Sequence, residues 1–208
     1  MAKVRNQVTA AILAGGESTR FGTDKALFVW RGKPLVVHAV EALSAEVAEV
    51  LVVAKRAGPF EDLRNCGVRV VLDGRAGSNP FWGLLAALEA VRTPWLFICP
   101  CDAPLVHPDL LRALFGVREG ARAVVPLWDG AEQPLAALYH KKSLAVARKI
   151  AAEDPNPSPR KLLHDLKARL LSEDEVRLFD PEGRSFMDAD HVQDLRALDR
   201  FAEEPRAH

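Results

Sequence analysis

The residues best suited to chemistry lie in one run near the start of the chain, Leu13-Ala14-Gly15-Gly16-Glu17-Ser18-Thr19-Arg20-Phe21-Gly22-Thr23-Asp24-Lys25. Consecutive glycines let the backbone turn sharply and let a ligand approach bare peptide groups. Successive N–H groups in such a turn form a concavity that suits phosphate oxygens. Arg20 and Lys25 add positive charge, and the guanidinium fork matches phosphate geometry. The run therefore reads as a phosphate-binding loop. It is not a P-loop, because Thr23 and Asp24 stand between Gly22 and the lysine. It also lacks the Gly-x-Gly-x-x-Gly of dinucleotide folds.

Carboxylates supply the second signal. Asp102, in Cys99-Pro100-Cys101-Asp102-Ala103-Pro104, follows an apolar run and is placed to hold Mg²⁺ through an oxygen or to cap the next turn. Asp188 and Asp190 are two residues apart, so in an extended segment both face one way. Either of them can complete a metal site with Asp102, and Asp190 serves equally well as the N-cap of the last helix. Asp73 follows another apolar run. Beyond it, Asn79-Pro80-Phe81-Trp82-Gly83 opens a helix whose first N–H groups can meet an anion. Asn79 is otherwise a simple cap, and Trp82 either packs on a flat ring or covers the core. Cys99 and Cys101 leave only Cys66 elsewhere, too few thiols for a zinc site. No His-Glu-x-x-His and no Gly-x-Ser-x-Gly occurs, and His38 and His164 read as surface or boundary residues.

These groups need a scaffold, and the hydrophobic pattern predicts one. Val8 to Leu13, Val50 to Ala54, Val68 to Leu72, Trp95 to Cys99 and Ala121 to Pro126 read as buried strands. Helical periodicity covers Leu35 to Ala45, Phe81 to Val91 and Pro108 to Phe115. Shorter strands are expected over Ala26 to Trp30, Leu135 to Tyr139 and Val176 to Phe179. Further helices are expected over Lys142 to Glu153, Arg160 to Leu166 and His191 to Phe201. Pro155, Pro157 and Pro159 make a stiff extended loop, expected near a binding site rather than between domains. The charged stretch Ser172 to Arg177 reads as a solvated face. Alternation of this kind predicts an α/β fold: a Rossmann-like three-layer α/β/α arrangement on a mostly parallel sheet. Ligands of such sheets bind at the carboxyl ends of the strands, where these motifs fall. Residues 1–202 are expected to form one domain, with a frayed tail at 203–208.

Composition narrows the partners. Lys and Arg balance Asp and Glu at a net charge of +0, which calls for neither nucleic acid nor an anionic membrane. Three cysteines suggest reduced thiols and a cytoplasmic location. No apolar run approaches the ~20 residues of a membrane span, and the segment after Lys3 and Arg5 is too short for a signal peptide.

The string Leu-Ala-Gly-Gly-x-Ser-x-Arg-Phe-Gly-x-Asp-Lys resembles the signature loop of the MobA-like nucleotidyltransferases, and Pro100-x-Asp102-x-Pro104 resembles their Pro-x-Asp-x-Pro. The Gly-Gly form goes with guanine nucleotides, whereas cytidylyl relatives carry Ala-Gly. The resemblance implies transfer of GMP from GTP to molybdopterin, giving the guanine dinucleotide and pyrophosphate, with Mg²⁺ as cofactor. It implies nucleotide contacts from Leu13, Ala14, Gly15, Gly16, Lys25, Asp73 and Asp102, and catalytic roles for Arg20, Lys25 and Asp102. Other molybdenum-cofactor biosynthesis proteins or acceptor enzymes would be its protein partners. The sequence departs from the family at Asn79, where glycine is usual, and at His191-Val192, where Thr-Pro is usual. Two rivals stand beside this reading: a transferase using CTP or a sugar phosphate, and a non-catalytic nucleotide-binding module.

Overall fold

The computed structural model describes residues 2–15, 24–75, 77, 79–189 and 191–203. Its strands are β1 (Val8–Leu13), β2 (Val29–Trp30), β3 (Lys33–Pro34), β4 (Glu49–Ala54), β5 (Arg69–Leu72), β6 (Trp95–Pro100), β7 (Ala123–Trp128), β8 (Ala131–Glu132), β9 (Leu138–His140) and β10 (Arg169–Leu171). Its helices are α1 (Ala2–Arg5), α2 (Leu35–Ser44), α3 (Glu61–Arg64), α4 (Pro80–Ala90), α5 (Pro108–Gly116), α6 (Leu144–Glu153), α7 (Pro159–Leu166), α8 (Glu173–Arg177) and α9 (Val192–Glu203).

The main sheet runs β10-β7-β9-β6-β1-β4-β5, with β8 paired to β7. β6, β1, β4 and β5 are mutually parallel, and β9 alone on this path runs against its neighbours. Alternation along β1 serves two cores. Ala10 and Ile12 pack on one face with Val36, Val40 and Leu43 of α2 and Leu111 of α5. Ala11 and Leu13 meet the other face with Leu84 and Leu88 of α4 and Leu162 of α7. Helices therefore cover both sides, and the three-layer, mostly parallel architecture expected from the sequence is present. A smaller cluster of Trp30, Leu35, Leu105, Ala189, Leu195 and Leu198 seats α9 beside the β2–β3 hairpin. Trp30 Nε1 reinforces it by donating to Asp199 at 3.0 Å.

Register aligns the strand ends that matter. Leu13 lies opposite both Val53 and Pro100, and Ala54 lies opposite Leu72. Four carboxyl termini therefore finish together along one edge. Gly83 lets α4 close in on that edge, because a Cβ there would sit 3.3 Å from Leu13 Cδ2.

Several local expectations change. Only Val29–Trp30 of the strand expected over Ala26 to Trp30 is extended. Lys25–Leu27 instead forms a 3₁₀ turn capped by Asp24, whose carboxylate accepts from Ala26 N at 3.1 Å. Arg31 and Gly32, with φ of 49° and 79°, make the hairpin turn that joins β2 to β3. Val176 to Phe179 is not a strand. Ser172 and Glu175 form a capping box that starts α8, and Val176 is buried under it. The strand in this region is Arg169–Leu171, pairing parallel to β7. The tail expected from residue 203 lies outside the described residues beyond Glu203.

Candidate active site

The aligned strand ends border a cavity of roughly 320 Å³. Leu13, Ala14 and Gly15 enter from β1, Lys55 follows β4, Asp73 follows β5, and Pro100 ends β6 with Cys101 and Asp102 after it. Asp24, Lys25 and the first residues of α4 close the sides. The sequence-predicted residues Leu13, Ala14, Gly15, Lys25, Asp73 and Asp102 thus share one space. Gly16, Arg20 and Asp190 lie outside the described residues.

Two ion pairs organise this cavity. Lys25 Nζ contacts Asp102 Oδ2 at 2.5 Å, with both side chains largely buried. Lys55 Nζ contacts Asp73 Oδ2 at 2.7 Å and also donates to the Arg75 carbonyl at 2.6 Å. Asp73 is buried and accepts in addition from Arg75 N at 3.1 Å. Lys55 is the residue that sequence reasoning missed. A lysine directly after the second buried strand, at the carboxyl edge of a parallel sheet, was the available signal. Its chain also flanks the glycine run: a Cβ on Gly15 would meet Lys55 Cε at 3.7 Å.

Backbone bonding limits where an amide cradle can begin. The Ala14 N–H donates to the Val53 carbonyl at 2.7 Å and continues the sheet. Any set of amides offered to a ligand therefore starts at Gly15. Asp24, half-buried at the cavity wall, has its carboxyl pushed up by burial, partly offset by the Ala26 N–H and the Arg56 charge.

The late segment reaches the same edge. Ala189 N donates to the Asp102 carbonyl at 2.9 Å, and the Ala189 side chain is buried in the cluster under α9. This bond places Asp188 next to Asp102 in the fold, and both carboxylates help to push up the Cys99 thiol, after burial. Buried Asp180 fixes the approach by accepting from Arg184 N and Ser185 N at 2.8 and 2.9 Å. His191 precedes α9, and its N–H is taken by Asp194 Oδ2 at 2.6 Å, the N3 half of a capping box. Among the described residues no group of three or more His, Cys, Asp and Glu side chains is arranged to hold a metal. An oxygen-seeking ion that takes one or two carboxylates and draws its other ligands from water and phosphates suits this donor set. Buried Cys99 and Cys101 are poor ligands here, because burial and then the Asp102 charge push both thiols up.

Asn79 caps α4 by accepting from Phe81 N at 2.9 Å, and its Nδ2 donates to the Pro157 carbonyl at 2.7 Å. The proline loop is thus tied to the cavity rim through Asn79. Trp82 packs against the second core, with the Arg75 guanidinium 4.7 Å from its ring centre. His38 bonds to the Trp30 carbonyl and His164 is exposed, so both lie away from the cavity.

Comparison with known proteins adds to this geometry. Residues 10–170 match the model of the MobA-like NTP transferase domain. A Bacillus cereus protein named "probable molybdenum cofactor guanylyltransferase" is 32% identical over 171 residues, covering 80% of this chain and 84% of that protein. A protein of the same name from Halalkalibacterium halodurans is 30% identical over 189 residues, covering 88% and 93%. Among solved structures, molybdopterin-guanine dinucleotide biosynthesis protein A from Archaeoglobus fulgidus superposes with a TM-score of 0.78 at 23% identity, covering 93% of this chain and 98% of that one. A 4-diphosphocytidyl-2C-methyl-D-erythritol synthase from Anaerococcus prevotii superposes at 0.73 with 13% identity, over 96% and 97% of the two chains, a likeness of fold. Among the described residues no helix is long and apolar enough to cross a membrane.

Proposed function

The chain belongs to the MobA-like NTP transferase family, and from that premise we propose that it transfers GMP from GTP to molybdopterin. Nucleotidyl transfer is the activity of the family; the guanine base and the pterin acceptor are this proposal. In the reaction a phosphate oxygen of molybdopterin attacks the α-phosphorus of GTP. A new P–O–P linkage forms, the α–β bond breaks, and pyrophosphate leaves with the electron pair of that bond.

The observation that carries the reading is the Lys25–Asp102 pair, held at 2.5 Å in a cavity at the carboxyl ends of four parallel strands. Phosphoryl chemistry of this kind needs positioning and charge neutralisation more than covalent help. Lys25, joined by Arg20, would neutralise the triphosphate, with the amides from Gly15 and Gly16 onward bonding its oxygens. Leu13, Ala14 and Asp73 would hold the nucleoside, with Lys55 orienting the Asp73 carboxylate. NTP transferases generally use a divalent metal. Mg²⁺ held by Asp102, with Asp188 or Asp190, would supply charge neutralisation across the phosphates. The compartment proposed is the cytoplasm, where Cys66, Cys99 and Cys101 remain reduced.

The test is to offer the four ribonucleoside triphosphates separately with molybdopterin and Mg²⁺, and to follow pyrophosphate and the dinucleotide by mass. GTP alone should give both products. Turnover with CTP in place of GTP would reassign the base, and binding of GTP without pyrophosphate would leave only a nucleotide-binding module.

A further inference from the structure

A second cavity, of roughly 620 Å³, lies at the other edge of the sheet. Its lining includes Gln7 just before β1, Trp95 at the start of β6, Arg122 just before β7 and His140 at the end of antiparallel β9. All four mark the amino-terminal edge of the parallel strands, opposite the candidate active site. Arg118, Arg122, Lys142 and His140 face this cavity, and Glu119 is the one acidic residue in its lining.

The cations at this cavity are not neutralised by carboxylates as several surface arginines are. Arg69, Arg112, Arg148, Arg177 and Arg184 each contact a carboxylate. Among the described residues neither Arg118, Arg122 nor Lys142 has such a partner. The backbone that carries these groups is held in place, and so is the Arg118 guanidinium. The Arg122 carbonyl accepts from His140 N at 2.8 Å and from the buried Ser143 hydroxyl at 3.0 Å. Arg118 lies against the Phe115 ring and donates to the Phe115 carbonyl. His140 Nδ1 accepts from Lys142 N at 3.1 Å, and the ring stands edge-on to Trp95 with centroids 4.8 Å apart. That bond leaves Nε2–H as the donor of the neutral ring. A concave set of cations without carboxylate partners attracts an anion of several charges. Its volume falls within the usual range of small-molecule sites, about 300–1,000 Å³.

We propose that this amino-edge cavity binds a polyphosphate anion, either free pyrophosphate or the phosphate chain of a nucleotide. The site is separate from the carboxyl-edge cavity and does not depend on the function assigned there.

His140 reports on the site directly. Burial, then Lys142, Lys141 and Arg122, hold its imidazole below the usual histidine value. A bound polyanion would reverse that field. The experiment is an NMR titration of the histidine ring signals with pyrophosphate, with GTP, and with sodium chloride at matched ionic strength. Pyrophosphate should raise the His140 pKa saturably by about one unit. The double substitution Arg118→Ser and Arg122→Ser should abolish the rise, and Arg122→Gln alone, on an exposed side chain, should weaken it. A rise of equal size at lower concentration with GTP would identify the nucleotide as the source. The proposal is overturned if neither phosphate compound gives a saturable rise, if chloride gives the same one, or if the rise survives loss of the arginines.

Discussion

The two edges of the sheet hold charge in opposite ways. At the carboxyl edge each described lysine is held by a carboxylate, Lys25 by Asp102 and Lys55 by Asp73. At the amino edge Arg118, Arg122 and Lys142 surround a cavity without such partners. In the proposed reading the Lys25–Asp102 pair exchanges partners: the lysine is already aimed, the carboxylate is already oriented, and an arriving phosphate and metal ion would take one each. Unpaired charges suit attraction of an anion with no exchange at all. The amino edge can also pair its charges when architecture is the purpose, since Arg69 and Glu49, at the first residues of β5 and β4, bond at 2.7 Å. The difference is therefore one of use, not of position.

Breaking the front pair should have the largest effect. Asp102→Ala removes the partner of Lys25 and the proposed metal carboxylate together, and turnover should fall by ~10²–10³ or more. A pyrophosphate-release assay on protein of unchanged circular dichroism checks it, and near-normal turnover would remove Asp102 from the catalytic set. The second front pair is tested through stability. Lys55→Met leaves the buried Asp73 carboxylate short of a donor, at about 1–3 kcal/mol. At roughly 2–4 °C per kcal/mol for a chain of this size, calorimetry should show a clear fall in Tm. Adding Asp73→Leu should return part of it without restoring nucleotide affinity, because the double variant has lost the polar group as well.

The paired amino-edge charge gives a pH signature. The hydrogen bond from Arg69 holds the Glu49 carboxyl below its usual value. A depressed pKa means that the unfolded chain binds the proton more readily, so the pair's contribution is present above about pH 4.3 and is lost as pH falls through the folded value. Glu49→Gln should therefore lower stability at neutral pH and shrink its deficit in acid, as measured by urea unfolding at several pH values. The smallest effect is expected where the charge is unpaired. Arg122→Gln should change stability by no more than about 0.5 kcal/mol, and a larger loss would mean that this arginine has an architectural role.

Much of this arrangement was legible in the sequence because it is local. The runs ending at Leu13, Ala54, Leu72 and Cys99 read as buried strands; Asp73 follows one of them directly and Asp102 lies three residues past another. What was not legible depends on distant partners. Lys55 looks like any lysine after a strand until Asp73, eighteen residues on, is folded against it. The direction of β9 is set by pairing with β6 and β7 and not by its own residues. Three residues are too few to show a period, so pairing with β7 defines β10. At Val176 two local signals compete: Ser172-x-x-Glu175 is a helix start written in the sequence, while the apolar residues after it read as a strand. The bond from Ala189 N to the Asp102 carbonyl, which brings the Asp188 segment to this edge, is one that no spacing rule foretells.

The central claim is that the carboxyl-edge pair is a pre-aimed phosphate and metal site. A crystal structure of the protein soaked with GTP and Mg²⁺ tests it most directly. The account predicts Lys25 Nζ moved from Asp102 Oδ2 onto a phosphate oxygen, with Asp102 on the metal ion. A triphosphate bound elsewhere, with the Lys25–Asp102 contact intact, would contradict it.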